Sequence, residues 1–114
     1  MSTTNLRRLS TTKLAEKMIF IDAFRELSAT MVLPEVSFFL AAARFPGHTI
    51  QQLGYLINIP KSSASRYAAT LGRGASHRGI KGQGLIRLEE NPINLKEKIV
   101  SITDVGYEVL ARVL

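Results

Sequence analysis

The stretch from Thr49 to Leu71, TIQQLGYLINIPKSSASRYAATL, constrains the fold more than any other part of the chain. Its pattern predicts two short helices joined by a tight turn, the first running from about Ile50 to Ile57. Asn58 stands where the chain must reverse, and asparagine tolerates a left-handed backbone there. Pro60 suits the opening of the second helix, where its missing N–H has no partner to lose. The expected apolar face of the first helix comprises Leu53, Leu56 and Ile57.

The second helix, about residues 61–71, divides into two faces. Apolar residues at spacings of three and four predict one buried stripe, made of Ala64, Tyr67, Ala68 and Leu71. The opposite face is short, hydroxylated or basic, and it carries Lys61, Ser62, Ser65 and Arg66. A helix in the major groove needs such side chains to approach phosphates and base edges. The pattern favours a helix-turn-helix, and an ordinary helical hairpin is the alternative.

Charge is unevenly distributed along the chain. The net charge is +6, and all nine acidic residues lie outside residues 36–88. This acid-free interval predicts a polyanionic partner for the middle of the chain. There is no cysteine, so disulfides and thiolate metal sites are excluded. No apolar run reaches the roughly 20 residues of a membrane span, so a cytoplasmic protein is expected. No metal or other cofactor is expected either.

Two helices are predicted before this stretch. Residues 1–10 are expected to form a flexible arm, and a single domain covers residues 11–114. The first helix runs from about Thr11 to Ser28 with Thr12 as its cap. Its apolar face is wide and comprises Leu14, Met18, Phe20, Ile21, Phe24 and Leu27. This face is either all core or partly an interface with a second copy. The second helix begins near Pro34 and ends near Arg44, with Val36, Phe39, Leu40 and Ala43 facing inward.

Residues 72–84 hold five of the eight glycines and are predicted to form a basic loop. The G-x-x-x-x-G spacing of Gly74 and Gly79 does not make a nucleotide loop, because Ile80 stands where the lysine is required. Two interpretations remain open. The loop either contacts a nucleic-acid backbone through Arg73, Arg78 and Lys81, or it is a flexible connector.

Two strands and a helix complete the chain. The strands are predicted at residues 85–89 and 98–102, joined by a turn-rich tip, and they form a β-hairpin within residues 85–102. The link His48–Thr49 is expected to add one strand-like pair, with Thr49 capping the next helix. The last helix, residues 103–114, begins with Thr103 as its cap, and its apolar side comprises Val105, Val109, Leu110 and Val113.

This order of elements is that of a mainly α winged helix-turn-helix with a small β-hairpin, and the sequence resembles the multiple-antibiotic-resistance-regulator (MarR) family. The resemblance rests on LP at 33–34, TIQQLG at 49–54, IPKSSASR at 59–66, GLI at 84–86 and SITDVG at 101–106. It covers about residues 31–110. The sequence departs from the family in the length of residues 72–84 and in the wing, where Asn91, Asn94 and Lys96 replace an Asp-x-Arg signature.

The resemblance implies a homodimeric transcriptional regulator that binds double-stranded DNA. The residues expected at DNA are Lys61, Ser62, Ser63, Ser65, Arg66, Arg73, Arg78, Lys81, Arg87, Lys96 and Lys98. Those expected between two copies, on the first and last helices, are Leu14, Met18, Ile21, Val109 and Val113.

A second hypothesis is a winged helix that docks a protein partner, or that acts in a replication or recombination complex with non-specific DNA binding. An enzyme is not expected, because the sequence offers no paired carboxylates, no nucleophile beside a base and no metal-ligand set.

Overall fold

The computed structural model describes residues 10–75 and 80–114, and it contains five helices and two separate β-hairpins in that part of the chain. In chain order the elements are α1 Thr11–Leu27, α2 Leu33–Arg44, α3 Ile50–Leu56, α4 Lys61–Leu71, β1 Gly74–Ala75, β2 Ile80–Lys81, β3 Ile86–Glu90, β4 Lys98–Ile102 and α5 Asp104–Val113. The predicted mainly α fold with a small hairpin is confirmed.

The core surrounds α2. Its largest fully buried side chains are Phe38, Phe39, Leu53, Leu71, Leu85, Ile86 and Val100. These residues come from α2, from both helices of the helix-turn-helix, and from the larger hairpin with Leu85 just before it, so one core fixes all of these elements relative to one another. Val36 and Phe39 are buried as predicted, whereas Leu40 and Ala43 are only half-buried. Phe38, which the pattern did not single out, is fully buried.

Only the C-terminal half of α1 packs against this core. Phe24 contacts Phe39 edge to face at 6.0 Å between ring centroids, and Phe20 contacts Phe24 at 5.3 Å. Earlier in the helix, Leu14 is 51% exposed and Met18 is 66% exposed. The interpretation of this face as all core is therefore wrong, because α1 extends beyond the elements that cover its other end. The cap is also two residues earlier than predicted: the hydroxyl of Ser10, not of Thr12, accepts from the amide of Lys13.

The last helix closes the core from the other side. Thr103 caps α5 as predicted, with its hydroxyl accepting from the amide of Gly106 at 3.1 Å. Val109 and Leu110 are buried and Val113 is half-buried against the core, but Val105 is exposed, contrary to prediction. Arg112 pairs with Glu26 of α1 at 2.7 Å, so the first and last helices are joined.

The larger hairpin, called the wing here, comprises β3, β4 and the tip at residues 91–97. Its antiparallel register joins Ile86 to Ile102 and Glu90 to Lys98. The strand predicted from residue 85 begins one residue later. Thr49 forms a bridge with Ile99, and the amide of Val100 donates to the carbonyl of His48 at 2.9 Å. The predicted contribution of the 48–49 link is thus confirmed, and it ties the wing to the start of α3.

A second hairpin lies where a loop was predicted. Gly74 pairs with Lys81 and Ala75 with Ile80 in an antiparallel ladder. This short hairpin comprises β1, β2 and the flanking residues 72–73 and 82–84. The predicted basic loop at residues 72–84 therefore includes two short paired strands, which the sequence did not indicate. Arg78 and the arm at residues 1–9 lie outside the described residues.

Candidate nucleic-acid interface

The helix-turn-helix is built by three local devices. Thr49 and Gln52 form a reciprocal cap for α3, with amide-to-side-chain distances of 2.9 and 3.1 Å. Asn58 adopts the predicted left-handed backbone at φ 58° and reverses the chain. The amide of Ile59 then donates to the carbonyl of Gly54 at 2.8 Å. These bonds fix the angle at which α4 leaves the turn.

The buried stripe of α4 is confirmed in full: Ala64, Tyr67, Ala68 and Leu71 are all within the core. The close approach of the two helices depends on Gly54, because a Cβ there would lie 3.1 Å from the Cβ of Ala64. In α3, Leu53 is buried as predicted, but Leu56 is 48% exposed. Leu56 is the last residue of this short helix, and about half of its side chain stays in solvent.

The outer face of α4 presents a polar and basic surface. Lys61, Ser62, Ser65 and Arg66 are exposed together, whereas Ser63 is half-buried and has less surface to offer. The guanidinium of Arg66 lies 5.4 Å from the ring centre of Tyr67, a distance that allows a cation–π contact. Because Tyr67 belongs to the core, this contact fixes the direction in which the Arg66 side chain leaves α4.

Sequence reasoning missed the contact that fixes the other end of α4. Glu35 of α2 is buried, and the hydroxyl of Thr70 donates to its Oε2 at 2.8 Å. Sequence spacing gave no signal for it, since the residues are 35 positions apart. The bond joins the first turn of α2 to the last turn of α4, and it satisfies a buried carboxylate beside the positively charged interval.

Sequence reasoning also missed Tyr55, which is 86% exposed near the end of α3. It lies beside a shallow cleft lined by His48, Gln51, Gln52 and Leu56. In a helix-turn-helix the first helix crosses the sugar–phosphate backbone, and tyrosine hydroxyls are among the groups that bind phosphates. The available signal was an aromatic residue next to the turn and outside the predicted apolar face.

The wing carries its cations next to its own acids. Arg87 pairs with Glu89 at 3.2 Å and Lys98 with Glu90 at 3.9 Å, so both predicted contacts already have a carboxylate neighbour. Lys96 is exposed on the tip. The tip is ordered by the side chains of Asn91 and Asn94, which accept from the amides of Ile93 and Lys96 respectively.

The tip also exposes two aliphatic side chains. Ile93 is 96% exposed and Leu95 is 65% exposed, and neither was singled out from the sequence. In the short hairpin, by contrast, Arg73 and Lys81 are exposed, and neither has an ion pair with any described residue. The two hairpins thus offer different chemistry next to the same recognition unit.

The remaining predicted residues belong to the opposite end of the molecule. Leu14, Met18 and Ile21 of α1 are exposed, but Val109 is only 3% exposed and has little surface left for a second copy. Val113 is half-buried. Of the helices in residues 10–75 and 80–114, none combines the length and apolar character required to cross a membrane.

Comparison with known proteins identifies the architecture. No family model and no curated protein matches the chain. Solved structures do. A transcriptional regulator from Thermotoga maritima matches 98% of this chain and 71% of its own length, with 15% identity and a TM-score of 0.69. The PcaV transcriptional regulator from Streptomyces coelicolor matches 99% of the chain and 73% of its own at 18% identity and a TM-score of 0.63.

A MarR family transcription regulator matches 90% of the chain and 62% of its own length, at 18% identity and a TM-score of 0.62. At these identities the likeness concerns architecture. Its consistency across regulators, together with the helix-turn-helix and wing described above, confirms the resemblance seen in the sequence: the chain has the MarR-type winged helix-turn-helix fold.

Proposed function

We propose that this protein is a transcriptional regulator that reads double-stranded DNA, with α4 in the major groove and the wing on the sugar–phosphate backbone. The observation that carries the proposal is the outer face of α4, where Lys61, Ser62, Ser65 and Arg66 are exposed on one side of a helix whose other side is core. No acidic residue lies between positions 36 and 88 to oppose a phosphate.

The distribution of roles follows from the chemistry. Arg66 is the side chain best suited to a base edge, because a guanidinium can donate two parallel bonds to guanine. Lys61 and the serine hydroxyls suit nearby phosphates. On the wing, Lys96 is the exposed cation of the tip, and Arg87 and Lys98 complete the basic set that we assign to the backbone.

We further propose that the regulator is a homodimer that reads a palindromic site. The exposed apolar side of α1, with Leu14, Met18 and Ile21, supports a second copy as its cover, because such a surface is costly to leave in water. In a dimer the two recognition helices would lie about 34 Å apart, one turn of B-DNA. The proposed location is the cytoplasm, where a regulator meets its DNA.

Selection of bound duplexes from a random pool, with sedimentation in parallel, tests the function. We expect a palindromic consensus bound by two chains. Arg66→Ala should then lower the affinity for that consensus by about 1–3 kcal/mol more than for a scrambled duplex. Arg66→Lys is the matched control, since it keeps the charge and loses the planar fork. We expect it to retain scrambled-duplex affinity and lose discrimination. If selection enriches nothing, the proposal is wrong.

The alternative is a winged helix that docks a protein partner and binds DNA only non-specifically. One observation favours it: Ile93 and Leu95 are exposed on an ordered tip, as in a small protein-docking surface. A tight protein partner whose binding is lost in Ile93→Ser, together with equal affinity for all duplexes, would select this alternative.

A further inference from the structure

We infer that the short hairpin is a second contact to the DNA backbone. It is held rigidly at the end of α4, and it binds phosphate more strongly than the wing does. This rests on the proposed function and adds to it an element that the sequence suggested only as a loop. Three independent observations carry it: the anchoring of the hairpin, its glycine packing and its unopposed charge.

The hairpin is anchored directly to α4. After β2, the amide of Gln83 donates to the carbonyl of Thr70 at 2.8 Å, and the amide of Leu85 donates to the carbonyl of Leu71 at 2.7 Å. Between them, the amide of Gly84 donates to the carbonyl of Gly72 at 2.9 Å. These bonds use the free carbonyls of the last helical turn. The segment after β2 is therefore fixed to the end of α4 itself.

Glycine packing brings the two arms of the hairpin together. A Cβ at Gly82 would overlap the backbone of residues 72–74, so only a glycine fits where β2 runs back past the start of β1. Gly74 has a φ of 80°, a conformation that other residues adopt only with strain. The position of the hairpin is thus set by backbone contacts and not by flexible side chains.

The hairpin carries positive charge without an acidic residue in its own sequence, residues 72–84. Arg73 directly precedes Gly74, and Lys81 is the pairing partner of Gly74, so each arm of the hairpin carries an exposed cation. Neither has an ion pair among the described residues. Two exposed cations without a carboxylate neighbour suit phosphate oxygens, which Arg and Lys side chains bind in nucleic acids.

The location of the hairpin agrees with a backbone contact. An 11-residue helix is about 16 Å long, and the major groove is about 12 Å wide. When the N-terminal residues of α4 meet base edges, its C-terminal end therefore lies at the level of the flanking phosphates. The short hairpin continues from that end.

The test uses the full chain and a fluorescently labelled mixed-sequence duplex, with affinity measured from about 50 to 200 mM salt. Arg73→Ala with Lys81→Ala should reduce the slope of log K against log salt by about 1.8 and weaken binding roughly 10- to 100-fold, because two phosphate contacts are lost. Arg73→Lys with Lys81→Arg should bind as the parent does, since phosphate contact needs charge more than shape.

Two matched pairs serve as controls. Lys13→Ala with Lys17→Ala removes the same charge from exposed positions of α1 and should leave the slope nearly unchanged. Arg87→Ala with Lys98→Ala removes it from the wing and should change the slope by less than the hairpin pair does. A hairpin double variant with the parent's slope, or with a loss no larger than either control, would overturn the inference.

This result is separable from the proposed function. The hairpin variant should weaken consensus and scrambled duplexes equally, whereas Arg66→Ala weakens the consensus selectively. If the parent protein discriminates no sequence, the proposed function fails and the salt slopes still decide whether the hairpin touches DNA.

Discussion

The two hairpins of this chain are built in opposite ways. The wing has a ladder of five residue pairs and packs into the core through Ile86 and Val100. The short hairpin has two pairs and is held by backbone bonds to α4. Residues 85–102 contain three basic and three acidic residues, whereas residues 72–84 contain three basic residues and no acid.

The difference teaches that the size of a hairpin does not indicate its role. The wing is well formed, but Arg87 and Lys98 each have a carboxylate partner. To bind a phosphate, each cation would have to leave that partner, and the carboxylate would then lie close to the DNA. Exposed ion pairs are weak, so the exchange is possible, but the acid nearby reduces the gain. The short hairpin has no such competition. The smaller element should therefore bind phosphate more strongly.

The largest expected effect comes from breaking the short hairpin without altering its charge. Gly82→Ala should lower the free energy of unfolding by about 1–3 kcal/mol, because the added methyl must displace the backbone of residues 72–74. It should also reduce the salt slope of DNA binding. Urea denaturation and the mixed-sequence duplex measure the two effects.

Gly47→Ala is the control for this substitution, since a Cβ there meets nothing within 4 Å. Its cost is limited to the left-handed backbone, and DNA binding should be unchanged. A Gly82→Ala protein with the parent's stability and salt slope would show that the packing of the hairpin does not matter for binding.

A smaller effect is expected from making the wing resemble the short hairpin. Glu89→Gln with Glu90→Gln removes the carboxylates beside Arg87 and Lys98 and leaves both cations in place. The affinity for any duplex should rise, roughly tenfold at low salt, because Arg87 and Lys98 would contact phosphate without a competing carboxylate. The slope should steepen by at most about 1.8, the value for two full contacts.

Glu16→Gln with Glu108→Gln makes the same charge change at exposed positions outside the helix-turn-helix and both hairpins. It should produce a much smaller rise. Equal gains from both pairs would mean that net charge alone, and not its location on the wing, governs the affinity.

Local chemistry made much of this molecule predictable. The turn at Asn58, the cap at Thr103 and the buried stripe of α4 each depend on residues close in sequence, and each is confirmed. The failures depend on contacts that spacing does not encode. Leu56 is exposed at the end of α3 although its spacing predicted burial, and the bond from Thr70 to Glu35 joins turns that are distant in sequence.

The short hairpin illustrates a different limit. Glycine-rich, basic sequence has no periodicity from which a strand can be recognised, and two-residue strands have almost no pattern of their own. What makes this segment regular is its bonding to the end of α4, which only the assembled chain provides. Residues 72–84 were correctly recognised as basic, but their shape is a tertiary property.

The smallest effect on folding is expected at the tip of the wing, which separates apolar from ionic contacts. Ile93→Ser with Leu95→Ser should change the free energy of unfolding by less than about 0.5 kcal/mol, because both side chains are largely in solvent. The salt slope should stay at the parent value, since the slope counts ionic contacts and no charge is removed. Thermal denaturation and the mixed-sequence duplex provide the readouts. A shallower slope would mean that the tip holds Lys96 against the backbone, and the wing would then share the ionic role assigned to the short hairpin.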